Sequence, residues 1–291
     1  MTQTGDNAHL DVLRQVAIGV AYRMVGSRTD AEDLAQEAML RVGPELATGR
    51  LRNPAAFTTT VTTRLAIDHL RLAHVRRESY IGPWLPEPTS TDPGPAASSE
   101  LSDSLSMAFL VVLESLGPVE RAAFLLRDVF SYDYAEIAEA LGRSEDACRQ
   151  LVSRARRRVA DRRPRFAVDR GEHRRLLERF VDAARRGDVE QLHTMLTADA
   201  VLVSDGGGTR KAARRPIVGR PRVARFLGVV GPKALDGEIR WTPINGEPGV
   251  VVERDGEVRL AGTVELAEGR VQRIQWVVNS DKLRWVVPAR S

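Results

Sequence analysis

The sequence predicts a multidomain chain: two all-α domains, the second carrying a helix-turn-helix, followed by an α+β domain with a curved antiparallel sheet. Three observations point there. Apolar residues recur at helical spacing, with capping residues at the breaks, from about residue 9 to 160. A proline-rich stretch over 81–100 interrupts them. From 238 to 278 the pattern changes to apolar–polar alternation punctuated by Asn245-Gly246, Asp255-Gly256 and Glu268-Gly269, which are hairpin signals.

A chain of 291 residues has room for two or three compact domains. With 43% hydrophobic and 28% charged residues it has the composition of a soluble globular protein, which excludes a disordered one. A pI near 9.6 and a formal charge of +4 permit a polyanionic partner. The single cysteine, Cys148, precludes an intramolecular disulfide and fits a reducing compartment. Residues 1–15 lack the basic start and apolar run of a signal peptide, and no stretch is long enough to cross a bilayer. The expectation is a cytoplasmic protein without membrane association. One cysteine and scattered histidines give no metal-ligand spacing, so neither metal nor cofactor is expected.

Residues 9–78 form the first predicted domain. Leu13, Val16, Ala17, Val20, Ala21 and Met24 make one helical stripe, which Gly26 ends. Asp30 is the expected cap of the next helix, whose inner stripe is Ala31, Leu34, Ala35, Ala38, Met39 and Val42. Its outer face carries Glu32, Asp33, Gln36 and Glu37, a solvated acidic face on pattern alone. Residues 54–78 read as a further pair of helices, with Pro54 in the first turn and Phe57, Val61, Leu65 and Leu70 pointing inward. Thr58, Thr59, Thr60, Thr62 and Thr63 are an unusual run for a helix, because β-branching lowers propensity. With Arg64 they would offer donors to a nucleic-acid backbone. Asp68, Arg71, Arg76 and Arg77 continue this polar face, which equally fits an ordinary solvated helix.

The linker spans 79–100. Within it, residues 80–88 set Trp84 and Leu85 between prolines, a stiff extended segment with two apolar anchors. Docking into a groove and folding onto a neighbouring helix are both open to Trp84.

Residues 101–165 form the second helical domain. Leu105, Phe109, Val112 and Leu113 lead to a stop at Leu116-Gly117-Pro118, after which Phe124, Leu125, Val129 and Phe130 turn toward the helix-turn-helix. Its first helix, with Ile137, Ala138 and Leu141, breaks at Gly142, and Ser144 caps the second. On that helix Ala147, Cys148, Leu151, Val152, Ala155 and Val159 share one stripe, opposite Arg149, Gln150, Ser153, Arg154 and Arg157. Arginine and glutamine can make paired hydrogen bonds to a base edge, and the arginine-rich run to Arg165 would attract phosphates. The plainer alternative is an amphipathic helix with a solvated basic face.

Residues 172–279 make the α+β domain and 280–291 a tail. A helix through Leu176, Leu177, Phe180, Val181 and Ala184 ends at Gly187, and Asp188 can cap a shorter one. A strand at 200–203, a glycine turn at Asp205-Gly206-Gly207-Gly208 and a helix near 221–227 precede the meander.

Several of these motifs occur together in one family. Asp30–Glu37, Phe57–Arg71, Pro118–Phe130 and Tyr134–Val159 resemble, in order and separation, a bacterial sigma factor of the extracytoplasmic-function group over residues 9–163. The stretch from 172 is similar to a SnoaL-like domain of the NTF2-like superfamily, a cone with a curved sheet. Sigma factors with this fused extension share Trp84-Leu85-Pro86-Glu87-Pro88, Asp205-Gly206-Gly207-Gly208 and Asn279-Ser280-Asp281-Lys282-Leu283. Their pattern usually has proline at Ser280, often lysine at Thr209, and often asparagine at Arg64.

The resemblance implies a sigma factor that directs RNA polymerase core to promoters and initiates transcription. Asp33, Gln36 and Glu37 match the positions that bind the polymerase clamp helices, and the flap is a second expected contact. Thr60, Arg64, Asp68, Arg71, Arg76 and Arg77 match the −10 element, and Arg149, Gln150, Ser153, Arg154 and Arg157 the −35 reader. Trp84–Pro88, Asp205–Gly208 and Asn279, Asp281, Lys282 and Leu283 match contacts through which the extension regulates the sigma core in cis. A ligand in the cone's cavity would be a possible input to that regulation.

Two other readings compete. SnoaL-like domains include small-molecule cyclases, so the extension could be a ligand-binding or enzymatic module. No histidine follows His193, however, which leaves Asp205 and Asp281 as candidate carboxylates. A plain helix-turn-helix repressor would leave residues 9–78 unexplained.

Overall fold

The computed structural model describes residues 2–77, 80–90, 105–160 and 169–286, with side chains from residue 9 onward and, in the third helix, as far as Leu72. The chain divides into two compact units. One joins Met1–Ser79 to Val112–Arg162, and the other joins Tyr80–Val111 to Arg163–Ser291. Residues 80–90 and 105–111, expected to divide between linker and second helical domain, thus group with the sheet.

The first unit is all helical. Helices α1 (Thr2–Val25), α2 (Arg28–Ala47) and α3 (Pro54–Arg77) pack against one another. Ser27, not Asp30, caps α2. Its Oγ accepts the Asp30 N–H at 3.1 Å, while the Asp30 carboxylate sits in the first turn near the positive helix end. The pair of helices expected over 54–78 is one helix, since no glycine or proline follows Pro54 to break it. The threonine run is corrected too. Thr58, Thr59, Thr62 and Thr63 are buried, and the hydroxyls of Thr58 and Thr62 donate to the carbonyls of Pro54 and Thr58, 2.8 Å away. Bonding back to the i−4 carbonyl satisfies the polar tip inside the core, so these side chains pack rather than face nucleic acid.

Helix α4 (Met107–Leu113) precedes α5 (Pro118–Phe124), which runs on into a π turn over Leu125–Val129. Arg121 of α5 is buried because its guanidinium has fixed acceptors, the Met24 carbonyl and the Glu114 carboxylate. Helix α6 (Tyr134–Leu141) starts in a reciprocal capping box between Asp133 and Glu136. It ends at Gly142, whose φ of 60° and ψ of 44° are left-handed and cheap only without a Cβ. Ser144 Oγ then accepts the Ala147 N–H at the start of α7 (Glu145–Ala160). Ala123, Leu126, Ile137, Ala140, Cys148 and Val152 form the shared core beneath the helix pair.

The second unit contains α8 (Arg170–Arg186), capped by Asp169, and α9 (Val189–Met195), capped by Asp188. These lead into β1 (Leu196–Asp205), β2 (Ile217–Val218) and α10 (Arg220–Ala234). The meander follows as β3 (Glu238–Ile244), β4 (Glu247–Arg254), β5 (Glu257–Ala267) and β6 (Arg270–Val277), and a 3₁₀ turn over Ser280–Trp285 closes it. Sheet order is β2-β1-β6-β5-β4-β3, with only the β1–β6 pairing parallel. Each expected hairpin turn has two positive-φ residues, the geometry that matches strand twist.

Both faces of this sheet are covered, and strand alternation sorts the two cores. Leu202, Val250, Val252, Leu260 and Trp276 share a cluster with Leu177, Phe180 and Leu227 from the helices. Their strand neighbours Val203, Val251, Ala261 and Val277 share the other cluster with Leu85, Met107 and Leu283. Leu85, at 1% exposure, is therefore a core residue of the sheet supplied by the linker.

Candidate nucleic-acid and polymerase faces and the linker anchor

Helix α2 buries Ala31, Leu34, Ala35 and Ala38 and presents Asp33, Gln36 and Glu37 on its exposed side. Spacing of i, i+3 and i+4 makes them one surface. Glu37 pairs with exposed Arg41, a solvated contact of small worth. The neighbouring Glu32 is already held by Arg14 and Arg28, both at 2.5 Å, and belongs to the packing of the helix.

On α3 the outward row is Thr60, half-buried, then exposed Arg64, Asp68 and Arg71. Asp68 and Arg71 pair at 3.1 Å. Arg64 is engaged: Nε donates to the Ala140 carbonyl at 2.7 Å and Nη2 to the Glu139 carbonyl at 2.8 Å. These belong to the last turn of α6, where carbonyls lack helical partners and the dipole favours a cation. Arg76 and Arg77 lie on α3, but their side chains fall outside the described residues.

Helix α7 separates its faces cleanly. Cys148, Val152, Ala155 and Val159 are buried, whereas Arg149, Gln150, Ser153, Arg154 and Arg157 are all exposed. Burial pushes the Cys148 thiol up, away from reactivity. Arg149 is pre-positioned by Glu145 at 2.6 Å and by stacking 4.8 Å from the Tyr134 ring centre. Arg156 and Arg158 have structural partners in Asp128 and Glu120. Arg154 and Arg157 have no ion pair among the described residues.

The linker anchor is built around Asp205, the last residue of β1, which is wholly buried. Oδ1 accepts the Tyr80 hydroxyl at 2.5 Å; Oδ2 accepts the Leu85 N–H at 2.8 Å and the Lys282 ammonium at 2.7 Å. Lys282 also donates to the Leu85 carbonyl, and its Nζ lies 4.2 Å from the Trp84 ring centre and 5.0 Å from that of Tyr80. Burial and the Asp205 carboxylate together push the Tyr80 phenol far above its ordinary range, so it stays a donor. Asn279 closes the ring: Nδ2 donates to the Tyr80 oxygen at 3.1 Å, and Oδ1 accepts the Asp281 N–H at 3.1 Å. A Cβ on Gly207, at φ 55°, would stand 2.1 Å from Asn279 Nδ2. The glycine turn is thus dictated by the approach of Asn279. Pro86, Glu87 and Pro88 are buried beside Leu85, Leu283 is core, and Asp281 is exposed.

Two anchor elements were absent from the expected set. Tyr80 belonged to the linker segment without a role. Asn245 accepts the Thr89 N–H at Oδ1 (3.0 Å), donates its own N–H to the Thr89 carbonyl (2.9 Å) and donates Nδ2 to the Leu105 carbonyl (3.0 Å). The Asn245-Gly246 signal marked only the turn; its buried amide grips the linker as well.

Sequence comparison identifies the family. Sigma-70 region 2 matches residues 10–75, and Sigma-70 region 4 matches 106–159. The ECF RNA polymerase sigma factor SigJ of Mycobacterium tuberculosis (strain ATCC 25618 / H37Rv) is 37% identical over 94% of this chain and 92% of its own length. The chain belongs to the extracytoplasmic-function RNA polymerase sigma factors. As such it directs polymerase core to promoters and serves in transcription initiation. The probable sigma factor SigI of M. tuberculosis is 32% identical over 93% of this chain and 92% of its own. The crystal structure of M. tuberculosis SigJ matches with a TM-score of 0.75 at 35% identity, covering 95% of this chain and 97% of that one.

In this sigma factor two of the three residues that the resemblance marks as departures, Arg64 and Thr209, have local partners. Arg64 caps α6, and Thr209 donates its hydroxyl to Gly206 O at 3.0 Å and Asn279 Oδ1 at 3.2 Å. Ser280 is exposed. Phe180, Leu202 and Trp276 belong to the core cluster between the helices and the sheet. His173 is buried there, Nε2 2.9 Å from the Val264 carbonyl. Among the described residues, no helix is long and apolar enough to cross a membrane, and no group of three metal-ligating side chains comes together.

Proposed function

We propose that this cytoplasmic sigma factor meets the polymerase clamp helices through Asp33, Gln36 and Glu37. The −10 element meets Thr60, Arg64, Asp68 and Arg71, with Arg76 and Arg77, and the −35 element meets the exposed face of α7, whose domain also reaches the flap. The observation that carries this reading is the two-sided α7. Four buried residues fix the helix while Arg149, Gln150, Ser153, Arg154 and Arg157 all remain accessible for base edges and phosphates.

The third domain acts in cis as a regulator, not as an enzyme. Of the two candidate carboxylates, Asp205 is engaged by Tyr80, Leu85 and Lys282, and Asp281 is exposed to solvent. Holding residues 80–89 against the sheet shortens the free tether between the two DNA-binding domains and so sets their accessible separations. Because the docked segment is covalently attached, a modest contact maintains it.

Run-off transcription with core enzyme tests both claims. The full chain is compared with Trp84→Ala and with a chain ending at Val278, which lacks Asn279 and Lys282. Promoter-dependent transcripts from the full chain, altered in yield by both changes, support the reading. Equal transcript from all three would overturn the regulatory part, and no transcript even with core present would overturn the whole.

A further inference from the structure

Beside the linker anchor lies a cavity of about 310 Å³. Ile81 and Gly82 of the linker form one wall, and the loop following β1 forms the other. Arg210, Lys211 and Arg214 line it, and none of the lining residues carries a carboxylate. The nearest acid to pair with them is Glu257, exposed and 3.9 Å from Arg210. Lys211 and Arg214 are exposed and make no ion pair among the described residues. The same loop uses some of its own N–H groups, with Ala213 donating to Ser204 Oγ and Thr209 and Arg210 donating to the Gly206 carbonyl. The N–H groups of Gly208, Lys211 and Ala212 have no acceptor among the described residues.

Three like charges within five residues repel one another, and no acid lines the cavity to offset them. A concave space of this size, lined by three cationic residues and by no carboxylate, is complementary to a small anion. We propose that this cavity binds a small phosphate-bearing molecule, held by Arg210, Lys211 and Arg214 between the linker and the third domain. A duplex backbone would need an open ridge, whereas here the linker walls one side. A ligand touching both walls binds the docked linker alone and stabilises it by mass action. The site stands whether or not the anchor regulates transcription.

The test is calorimetric titration of the full chain with inorganic pyrophosphate at fixed ionic strength. Wild type should take up pyrophosphate saturably. Lys211→Glu and Arg214→Glu should each weaken it by about tenfold or more, with unchanged melting curves. Arg215→Glu, exposed and outside the lining, carries the same charge change and should weaken it by less than about threefold. No uptake by wild type at millimolar pyrophosphate overturns the proposal. Equal losses in all three variants overturn it as well, because they describe a diffuse polyanion-binding surface rather than a cavity.

Discussion

Lys282 Nζ stands 2.7 Å from Asp205 Oδ2 with the lysine side chain 8% exposed and the aspartate not exposed at all. Two buried charges are tolerable because each is further bonded, the carboxylate by Tyr80 and Leu85 and the ammonium by the Leu85 carbonyl and two aromatic faces. Removing one partner strands the other. Lys282→Met should therefore destabilise the sheet-containing unit by about 3–5 kcal/mol. That is a fall of roughly 10 °C in its melting transition. Limited proteolysis should then cut within residues 80–90 and should leave that segment intact in the wild type.

Asp33 and Glu37 are exposed and contribute nothing to the core of α2. Reversing both charges to lysine should change stability by no more than about 0.5 kcal/mol. On the proposed clamp contact, binding to polymerase core should nevertheless weaken by at least about tenfold, since reversing both charges removes the electrostatic complementarity of that face. Co-elution with core enzyme, alongside thermal melting of the free chain, separates the two effects.

Arg64 cannot hold the Ala140 and Glu139 carbonyls and a DNA base at once. Arg64→Ala removes two charge-assisted hydrogen bonds from a partly solvated site, at a cost of about 1–3 kcal/mol to the α3–α6 contact. Dyes placed at exposed Leu72 and Arg143 through cysteine substitution should report a longer or broader distance in the variant. An unchanged distribution would mean that other contacts hold the helices together.

Local physics was legible in the sequence, and distant pairing was not. Gly142, Ser144 and the α7 stripe act within a few residues of one another, so the helix-turn-helix and its exposed face follow from spacing. The hairpins follow likewise from Asn245-Gly246, Asp255-Gly256 and Glu268-Gly269. The Thr58–Thr63 run misled because the helix satisfies these hydroxyls internally, four residues back. The choice of Ser27 over Asp30 as cap was a three-residue ambiguity between two good capping residues. The anchor required partners far apart in the chain: Leu85 bonds to Asp205 across 120 residues, and Thr89 to Asn245 across 156. Motif resemblance brought Trp84, Asp205 and Lys282 to notice, but Tyr80 and Asn245 gain meaning only once the sheet is folded.

Burial pushes the His173 imidazole below its ordinary range, against the pull of the Val264 carbonyl. The unfolded chain therefore takes up the proton first as pH falls. Stability from neutral His173 is present above a pH of about 6.5 and is lost as the pH falls toward the lower folded value. The melting temperature of the sheet-containing unit should drop between neutral and mildly acidic pH more steeply in wild type than in His173→Gln. The glutamine keeps a donor for the Val264 carbonyl but does not titrate. Parallel slopes would show that other groups carry the acid sensitivity.

Along α7, position decides the kind of contact. Gln150 lies in the first turns, where a recognition helix enters the major groove, and its amide can both donate to and accept from one base. Arg157 lies two turns later on the same exposed side, without an ion pair among the described residues, and on the proposed docking its guanidinium would meet the DNA backbone. Gln150→Ala should cost about 1–3 kcal/mol on the preferred −35 sequence and relax the preference at one position, leaving the salt dependence unchanged. Arg157→Ala should weaken all duplexes alike and reduce the slope of log affinity against log salt by about 1. Holoenzyme titrations of promoter variants across a salt series distinguish the two. A Gln150→Ala loss that is uniform across sequences would move base reading away from this turn of the helix.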